Sequence, residues 1–329
     1  MTQPRGAADR PTIVVAAGIF PDPGRITAHY GTACTTAFAD LSSAEGIAES
    51  TARADAVVIA TQRLDPDRLA ALANSVRVIG RAGVGLDAID LDAARRLGIG
   101  VINQPAYGAL EVASHAVGLM IAACRKFTTV DSYVRGGWSG PLSLAPMQPL
   151  DELTLGLVGC GTIATQAARM CAPLVGRILT FDPFAAEIPA FVERVDKLDD
   201  LLIQSQLLSL HLPLSAQTRG LLGARELALL PDGAVVVNVA RGGILDENAL
   251  AGELNSGRLG GAGLDVFAQE PLPGDSPLLS TPNTILSPHV AGYSERSSWR
   301  LASWTIEDVL GYLASSSIEH GKIVVAGTR

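Results

Sequence analysis

Three polar side chains late in the chain could together do acid–base chemistry. Arg241 follows Val236-Val-Asn238-Val-Ala240, Glu270 follows Gly263-Leu-Asp265-Val-Phe-Ala-Gln269, and His289 follows Ile285-Leu-Ser-Pro288. Each stands just beyond a stretch that reads as a buried strand. The carboxyl ends of parallel strands line the crevice where ligands bind, so three positions far apart in sequence converge there. Arg can grip a carboxylate or carbonyl oxygen with a forked pair of hydrogen bonds. His exchanges a proton near neutral pH, and a Glu partner favours its protonated form. Taken singly, Arg241 suits a helix-start ion pair, Glu270 a loop charge before Pro271, and His289 a buried imidazole satisfied by backbone. Their shared placement at strand ends favours catalysis.

A second constellation, Gly156-Leu-Val-Gly159-Cys160-Gly161-Thr162-Ile163-Ala164, lies in the middle of the chain. It follows an apolar strand, opens a helix, and is followed by Asp182 at the end of the next strand. Gly159 suits the tight turn, Gly161 lets a pyrophosphate approach helix N-terminal amides, and Ala164 permits close helix–strand packing. Asp182 suits ribose hydroxyls and repels a 2′-phosphate, so the expected cofactor is NAD and not NADP. Its other reading is a loop aspartate before Pro183.

The elements that must position these groups follow an alternating pattern. Strand-like runs occur at 12–17, 56–60, 76–79 and 101–102, with helical spacing at 64–72 and 87–97. A mostly apolar helix is expected at 109–125 and another at 127–135. The first is apolar on nearly every face and so must be buried between domains or subunits. A poorly patterned link with Pro141, Pro146 and Pro149 follows. Strands are then expected at 155–159, 178–182, 207–211, 234–238, 263–266 and 284–287, with helices at 163–171, 247–255 and 294–313. No internal repeat or low-complexity tract is evident.

Bulk properties narrow the function. The 329 residues suffice for two domains, and 48% hydrophobic with 18% charged residues is a globular composition. The net charge of -8 argues against nucleic-acid binding. No lysine sits in a phosphate-binding GxxxxGK[ST] loop. Arg5 and Arg10 before the apolar run at 12–20 faintly mimic a signal peptide, but Pro21-Asp22-Pro23 ends it, so a first strand is expected. No run is long enough to span a bilayer. Cys34, Cys124, Cys160 and Cys171 lack metal or CxxC spacing, which suits free thiols in the cytoplasm.

Together, the segments 156–164, Val237-Asn-Val-Ala-Arg241-Gly-Gly243, Gly263-Leu-Asp265-Val-Phe-Ala-Gln-Glu270-Pro271 and Ser287-Pro288-His289 resemble the D-isomer-specific 2-hydroxyacid dehydrogenases. Arg81-Ala-Gly83-Val84-Gly85-Leu-Asp87 is similar to that family's substrate-side loop. The resemblance covers the chain from about Val76 onward. It implies an α/β fold of two doubly wound parallel-sheet domains, with a Rossmann NAD domain (103–292) inserted into a flavodoxin-like substrate domain (1–102 and 293–329). It implies an NAD-dependent oxidoreductase acting on 2-oxo and D-2-hydroxy acids.

By the same resemblance, Arg241 would orient the substrate, His289 would be the acid/base and Glu270 its partner. Gly83, Val84 and Gly85 would hold the substrate carboxylate through backbone amides, alongside Arg241 and His289. The cofactor would be held by Gly159, Gly161, Thr162, Ile163 and Asp182. Leu212, Pro213 and Thr218 would lie beside the adenine, with Val112, Val239 and Ala240 also bordering the cofactor and Asp265 binding the nicotinamide carboxamide. The helix at 109–125 would contribute to a homodimer. No metal, nucleic acid or membrane is expected as a partner.

Departures from the pattern are Thr162 where Arg or Asn often meets the pyrophosphate, Ser114 for an acidic residue before His115, and Glu152 for a turn glycine. The stretches 105–113 and 289–294 look most like the branch of the C-terminal-binding-protein corepressors and phosphoglycerate dehydrogenases, with Gly292 for a frequent Trp. Within the class, 3-phosphoglycerate dehydrogenase is expected to be the weaker reading, since the chain ends at Arg329 with no room for the extra regulatory domains of longer forms. A phosphorylated or phosphonate substrate stays open, as does an NAD-sensing corepressor-like binding protein. Specificity would come from 19–21, 61–63 and Tyr107, with Arg63 or Arg81 facing a second acidic group.

Overall fold

A computed structural model describes residues 10–141 and 147–328; Arg5 and Pro146 lie outside the described residues. The chain divides into two compact units, Met1–Gly108 with Ser294–Arg329, and Ala109–Tyr293. The first crossing point falls beyond the 102/103 boundary drawn from the sequence. The reason is local: Gln104 N–H donates to Gly83 O, and the Gln104 amide to Asp308 Oδ2, so the residues after the strand stay tied to the first unit.

In the first unit the strands are β1 (Thr12–Ala16), β2 (Thr35–Ala39), β3 (Ala56–Ile59), β4 (Val78–Arg81) and β5 (Gly100–Asn103). They pair in the parallel order 2-1-3-4-5, the flavodoxin-like arrangement. β3 and β5 are buried at every position, as expected of strands covered on both faces. The helices α1 (Pro23–Tyr30), α2 (Ala44–Thr51), α3 (Pro66–Leu72) and α4 (Leu91–Leu97) each begin at a capping side chain, respectively Asp22, Ser43, Asp65 and Asp90. Those caps explain why α3 and α4 start later than their apolar spacing predicts.

The second unit holds α5 (Ala109–Cys124), α6 (Phe127–Arg135), β6 (Thr154–Val158), α7 (Thr162–Cys171), β7 (Arg177–Phe181), β8 (Glu193–Arg194) and α8 (Leu198–Leu202). β9 (Leu207–Leu210), α9 (Ala224–Leu229), β10 (Val235–Asn238), α10 (Glu247–Asn255), β11 (Gly261–Leu264) and β12 (Thr284–Leu286) complete it. Its strands are all parallel in the order 12-11-10-9-6-7-8. The order reverses direction between β6 and β9, which is where a doubly wound sheet opens a ligand crevice. Buried apolar clusters cover both faces.

The chain then returns to the first unit as α11 (Glu295–Ser315) and β13 (Lys322–Val325), the latter antiparallel to β5. Val309 and Thr305 of α11 press on Gly80 of β4, where a Cβ would lie 2.7 and 2.8 Å from their methyls. β2, β8 and β13 escape the sequence reading because they are short or stand at sheet edges, where no continuous apolar run is required. Ala113, Ala116, Val117, Leu119, Met120 and Ala123 are buried, and α5 packs on α7, β10 and β11 of its own unit. All four cysteines are unpaired. Among the described residues no helix is long and apolar enough to cross a membrane.

Candidate active site

The glycine-rich turn joins β6 to α7, beside the reversal of strand order. Gly159 has φ +95°, and a Cβ there would sit 2.5 Å from His211 O, so two independent constraints demand glycine. Gly161 differs: a Cβ there would meet no protein atom within 4 Å. It is the N-cap of α7 with no side-chain cap, leaving the first-turn amides for an external anion. Thr162 is exposed beside it, and Ala164 is fully buried. This open, uncapped helix start fits a dinucleotide pyrophosphate.

Asp182 is half-buried and already engaged by backbone. Its Oδ1 accepts from Phe184 N (2.8 Å) and Ala185 N (3.0 Å), and its Oδ2 from Cys160 N (2.8 Å). It therefore ties the β7 loop to the glycine turn, with one of its four lone-pair sites left over. The loop after β9 is self-braced. The Thr218 hydroxyl donates to Pro213 O (2.7 Å) and accepts from Ser215 N (2.8 Å), which shapes the turn that begins at Leu212. His211 opens this loop with Nε2 2.9 Å from Ser209 Oγ and a buried Nδ1, and burial pushes its pKa down to about 4. Val112, Ile163 and Val239 border one apolar cluster between α5, α7 and the sheet.

Arg241, Glu270 and His289 follow β10, β11 and β12, which are neighbours in the sheet. The buried Asn238 shapes the first of these turns: its Oδ1 accepts from Ala240 N (3.0 Å) and its Nδ2 donates to Arg241 O (2.8 Å). Gly242 is required because a Cβ would overlap the Phe267–Ala268 backbone, so the Arg241 turn lies directly on the loop that carries Glu270. The Arg241 guanidinium also donates to Ala240 O at 2.6 Å.

Glu270 Oε1 accepts from Phe267 N (3.0 Å), which leaves Oε2 2.7 Å from His289 Nδ1. The ionised carboxylate only accepts, so Nδ1 carries the hydrogen and Nε2 is the nitrogen that exchanges protons. His289 has φ +57°, a left-handed conformation held by its N–H to Asp265 O at 2.8 Å. The Asp265 side chain is only 1% exposed and accepts from Ser287 Oγ (2.6 Å), Val290 N (3.0 Å) and Ala291 N (2.8 Å). It braces the loop that carries His289, a role the sequence reading did not assign to it. Asn238 and Gly242 were also missed; their signal was Asn at a strand end followed by Arg-Gly-Gly.

In the first unit the Gly83–Gly85 loop follows β4. Gly83 O accepts from Gln104 N (2.9 Å) and Val84 O from Asn103 Nδ2 (2.7 Å). In a trans peptide the carbonyl and the next N–H point oppositely, so these bonds aim the Val84 and Gly85 amides away from β5. Arg81 folds back to donate to Ala82 O, laying its guanidinium over Gly83. Of the expected specificity positions, Phe20 is 5% exposed and sits in the core, while Gln62 is turned to accept from Ala60 N. Arg63 is exposed and Tyr107 half-buried. Among the described residues no group of three or more His, Cys, Asp or Glu could hold a metal.

The family model for the NAD-binding domain of D-isomer-specific 2-hydroxyacid dehydrogenases matches residues 117–291. A D-3-phosphoglycerate dehydrogenase from Archaeoglobus fulgidus is 34% identical over 272 residues, which are 82% of this chain and 51% of that protein. The chain thus spans about half the length of the phosphoglycerate dehydrogenases it matches. An (S)-sulfolactate dehydrogenase from Chromohalobacter salexigens is 38% identical over 75% of this chain and 80% of its own length. The structure of an NADPH-dependent glyoxylate/hydroxypyruvate reductase from Sinorhizobium meliloti, with NADP and malonate, superimposes with a TM-score of 0.86. That pair shares 27% identity over 98% of this chain and 99% of the reductase.

Proposed function

Because this chain belongs to the D-isomer-specific 2-hydroxyacid dehydrogenases and carries their NAD-binding domain, we propose that it interconverts a 2-oxo acid and a D-2-hydroxy acid. The observation that carries the proposal is the 2.7 Å pairing of His289 Nδ1 with Glu270, on the strand end next to the Arg241 turn. NAD, when bound, accepts the hydride leaving substrate C2, and in its reduced form returns it.

In the oxidation direction His289 Nε2 takes the hydroxyl proton, and Glu270 stabilises the resulting imidazolium. Arg241 steadies the carboxylate and the oxygen that becomes the carbonyl. The Val84 and Gly85 amides receive the carboxylate. Gly161, Thr162 and the first turn of α7 hold the pyrophosphate, and the remaining lone pair of Asp182 takes a ribose hydroxyl. Ile163, Val112, Leu212, Pro213, Val239 and Ala240 form the apolar surroundings, with Thr218 shaping the loop on the adenine side. Asp265 keeps an Oδ2 lone pair for the carboxamide.

The relatives named for phosphoglycerate and sulfolactate favour a short acid with a second anionic group. The Arg81 guanidinium beside the carboxylate loop supports that reading. We assign the homodimer surface to α5, which leaves Leu110, Ser114 and Gly118 exposed, continued by α6, which buries none of its residues and exposes Phe127 and Val134. Light scattering of wild type and a Phe127→Glu, Val134→Glu variant tests this, and an unchanged mass overturns it. The four unpaired cysteines suit a reducing compartment such as the cytoplasm.

The test is turnover of glyoxylate, hydroxypyruvate, 3-phosphohydroxypyruvate and 3-sulfopyruvate with NADH, with His289→Ala as control. Consumption that depends on His289 is expected. NADH binding without consumption of any acid would instead favour an NAD-sensing, corepressor-like protein.

A further inference from the structure

One imidazole in the second unit has no part in the chemistry above. His115 lies on α5, and its Nε2 is 2.9 Å from Ser287 Oγ. Ser287 Oγ in turn is 2.6 Å from Asp265 Oδ1, the carboxylate whose oxygens hold the Val290 and Ala291 amides. The main-chain oxygen of Asp265 holds His289 N–H. One line of hydrogen bonds therefore runs from α5 to the loop that presents His289.

The direction of each bond follows from donor inventory. A buried ionised carboxylate only accepts, so the single hydrogen of the Ser287 hydroxyl points at Asp265. The Ser287 oxygen can then only accept from His115, which places a hydrogen on His115 Nε2. His115 Nε2 is 3.7 Å from Asp265 Oδ1, beyond direct hydrogen-bond reach, so the link between them runs through Ser287. The arrangement holds a loop in which His289 sits at φ +57°, a conformation that a β-carbon disfavours and that surrounding bonds must maintain.

We propose that His115 is a positioning residue for the reaction: through Ser287 and Asp265 it sets the geometry of the His289 loop. The proposal rests on His289 being the acid/base, so its loss should appear in the proton-transfer step and not in substrate binding. Arg241 and the Gly83–Gly85 amides, which bind the acid, are outside this chain of bonds.

The test compares His115→Ala, His115→Gln, Ser287→Ala and the His115→Ala/Ser287→Ala double variant, using whichever of the four 2-oxo acids above turns over. His115→Ala should lower kcat about tenfold with KM within about twofold. His115→Gln, whose amide can still donate to Ser287, should recover to within about threefold of wild type. The double variant should be no worse than Ser287→Ala alone, since both break one link. A wild-type kcat in His115→Ala, no recovery in His115→Gln, or additive losses would each overturn the proposal. Independently of turnover, ¹⁵N imidazole shifts should show the Nε2–H form of neutral His115, and an Nδ1–H form would overturn it. If His289→Ala keeps full turnover, the acid/base assignment itself fails. An inactive His289→Ala beside a fully active His115→Ala rejects only the relay.

Discussion

Two alanine substitutions two residues apart, at Gly159 and Gly161, should fail in opposite ways. At Gly159 the backbone has φ +95°, and a new Cβ would lie 2.5 Å from His211 O. The left-handed conformation alone costs roughly 1–2 kcal/mol for a residue with a β-carbon. The backbone clash cannot be relieved by turning a side chain, so a loss of about 2 kcal/mol or more is expected. For a unit of this size that lowers Tm by about 4–8 °C. At Gly161 a Cβ meets no protein atom within 4 Å, and φ -76° is open to any residue. Gly→Ala at a compatible site shifts stability by less than about 1 kcal/mol, so Tm should stay near wild type. The same methyl would occupy the space through which the pyrophosphate approaches the α7 amides. NADH affinity should therefore fall at least about tenfold, roughly 1.4 kcal/mol. Thermal unfolding and NADH fluorescence titration of the two variants read both quantities. Gly161→Ala binding NADH within about twofold of wild type would refute the assignment of this helix start to the pyrophosphate.

Other expectations follow from the same geometry. Arg241→Lys keeps the charge but loses the fork, and kcat/KM for the turned-over acid should fall about 100-fold; a fall of only a few-fold would remove Arg241 from the substrate. Asn103→Ala releases Val84 O and with it the aim of the Gly85 amide, so KM should rise about tenfold, the worth of one such bond; an unchanged KM argues against that loop as the carboxylate site. Burial pushes the His211 pKa from 6.5 to about 4. Between those pH values the unfolded chain binds a proton that the folded chain does not, so stability rises with pH through this window and falls on acidification. Lowering pH from 7 to 5 should remove about 2 kcal/mol from this source. Urea unfolding of His211→Gln at the two pH values should show a smaller difference than wild type, and an equal difference would show that acid sensitivity lies elsewhere.

Much of this arrangement was legible in the chain because it rests on local rules. Continuous apolar runs marked β1, β3, β6, β9 and β10, since a parallel strand covered on both faces has no polar side. The glycine fingerprint falls on the turn between β6 and α7, and Arg, Glu and His fall just past β10, β11 and β12, as their spacing predicts. What stayed hidden had no local signature. β2 and β13 stand at or near sheet edges and need only partial apolar character. α3 and α4 begin at Asp65 and Asp90 because those side chains cap the next turn, against an apolar spacing that extends further back. Phe20, read as a specificity position, is buried in the first unit's core.

The sequence by itself determined which residue types could meet a dinucleotide and a small acid, and in what order along the strands they arrive. Only the tertiary structure decided how each is held. It turned Asp182 toward three backbone amides and Asp265 into the brace of the His289 loop. It also made Gly242 obligatory by laying one strand-end turn against another, and it set His115 behind Ser287. These outcomes depend on which carbonyls and amides are left without partners once separate strands are brought side by side. A buried polar group must find a partner wherever the fold puts one, and that choice is made in space, between residues that the chain keeps far apart.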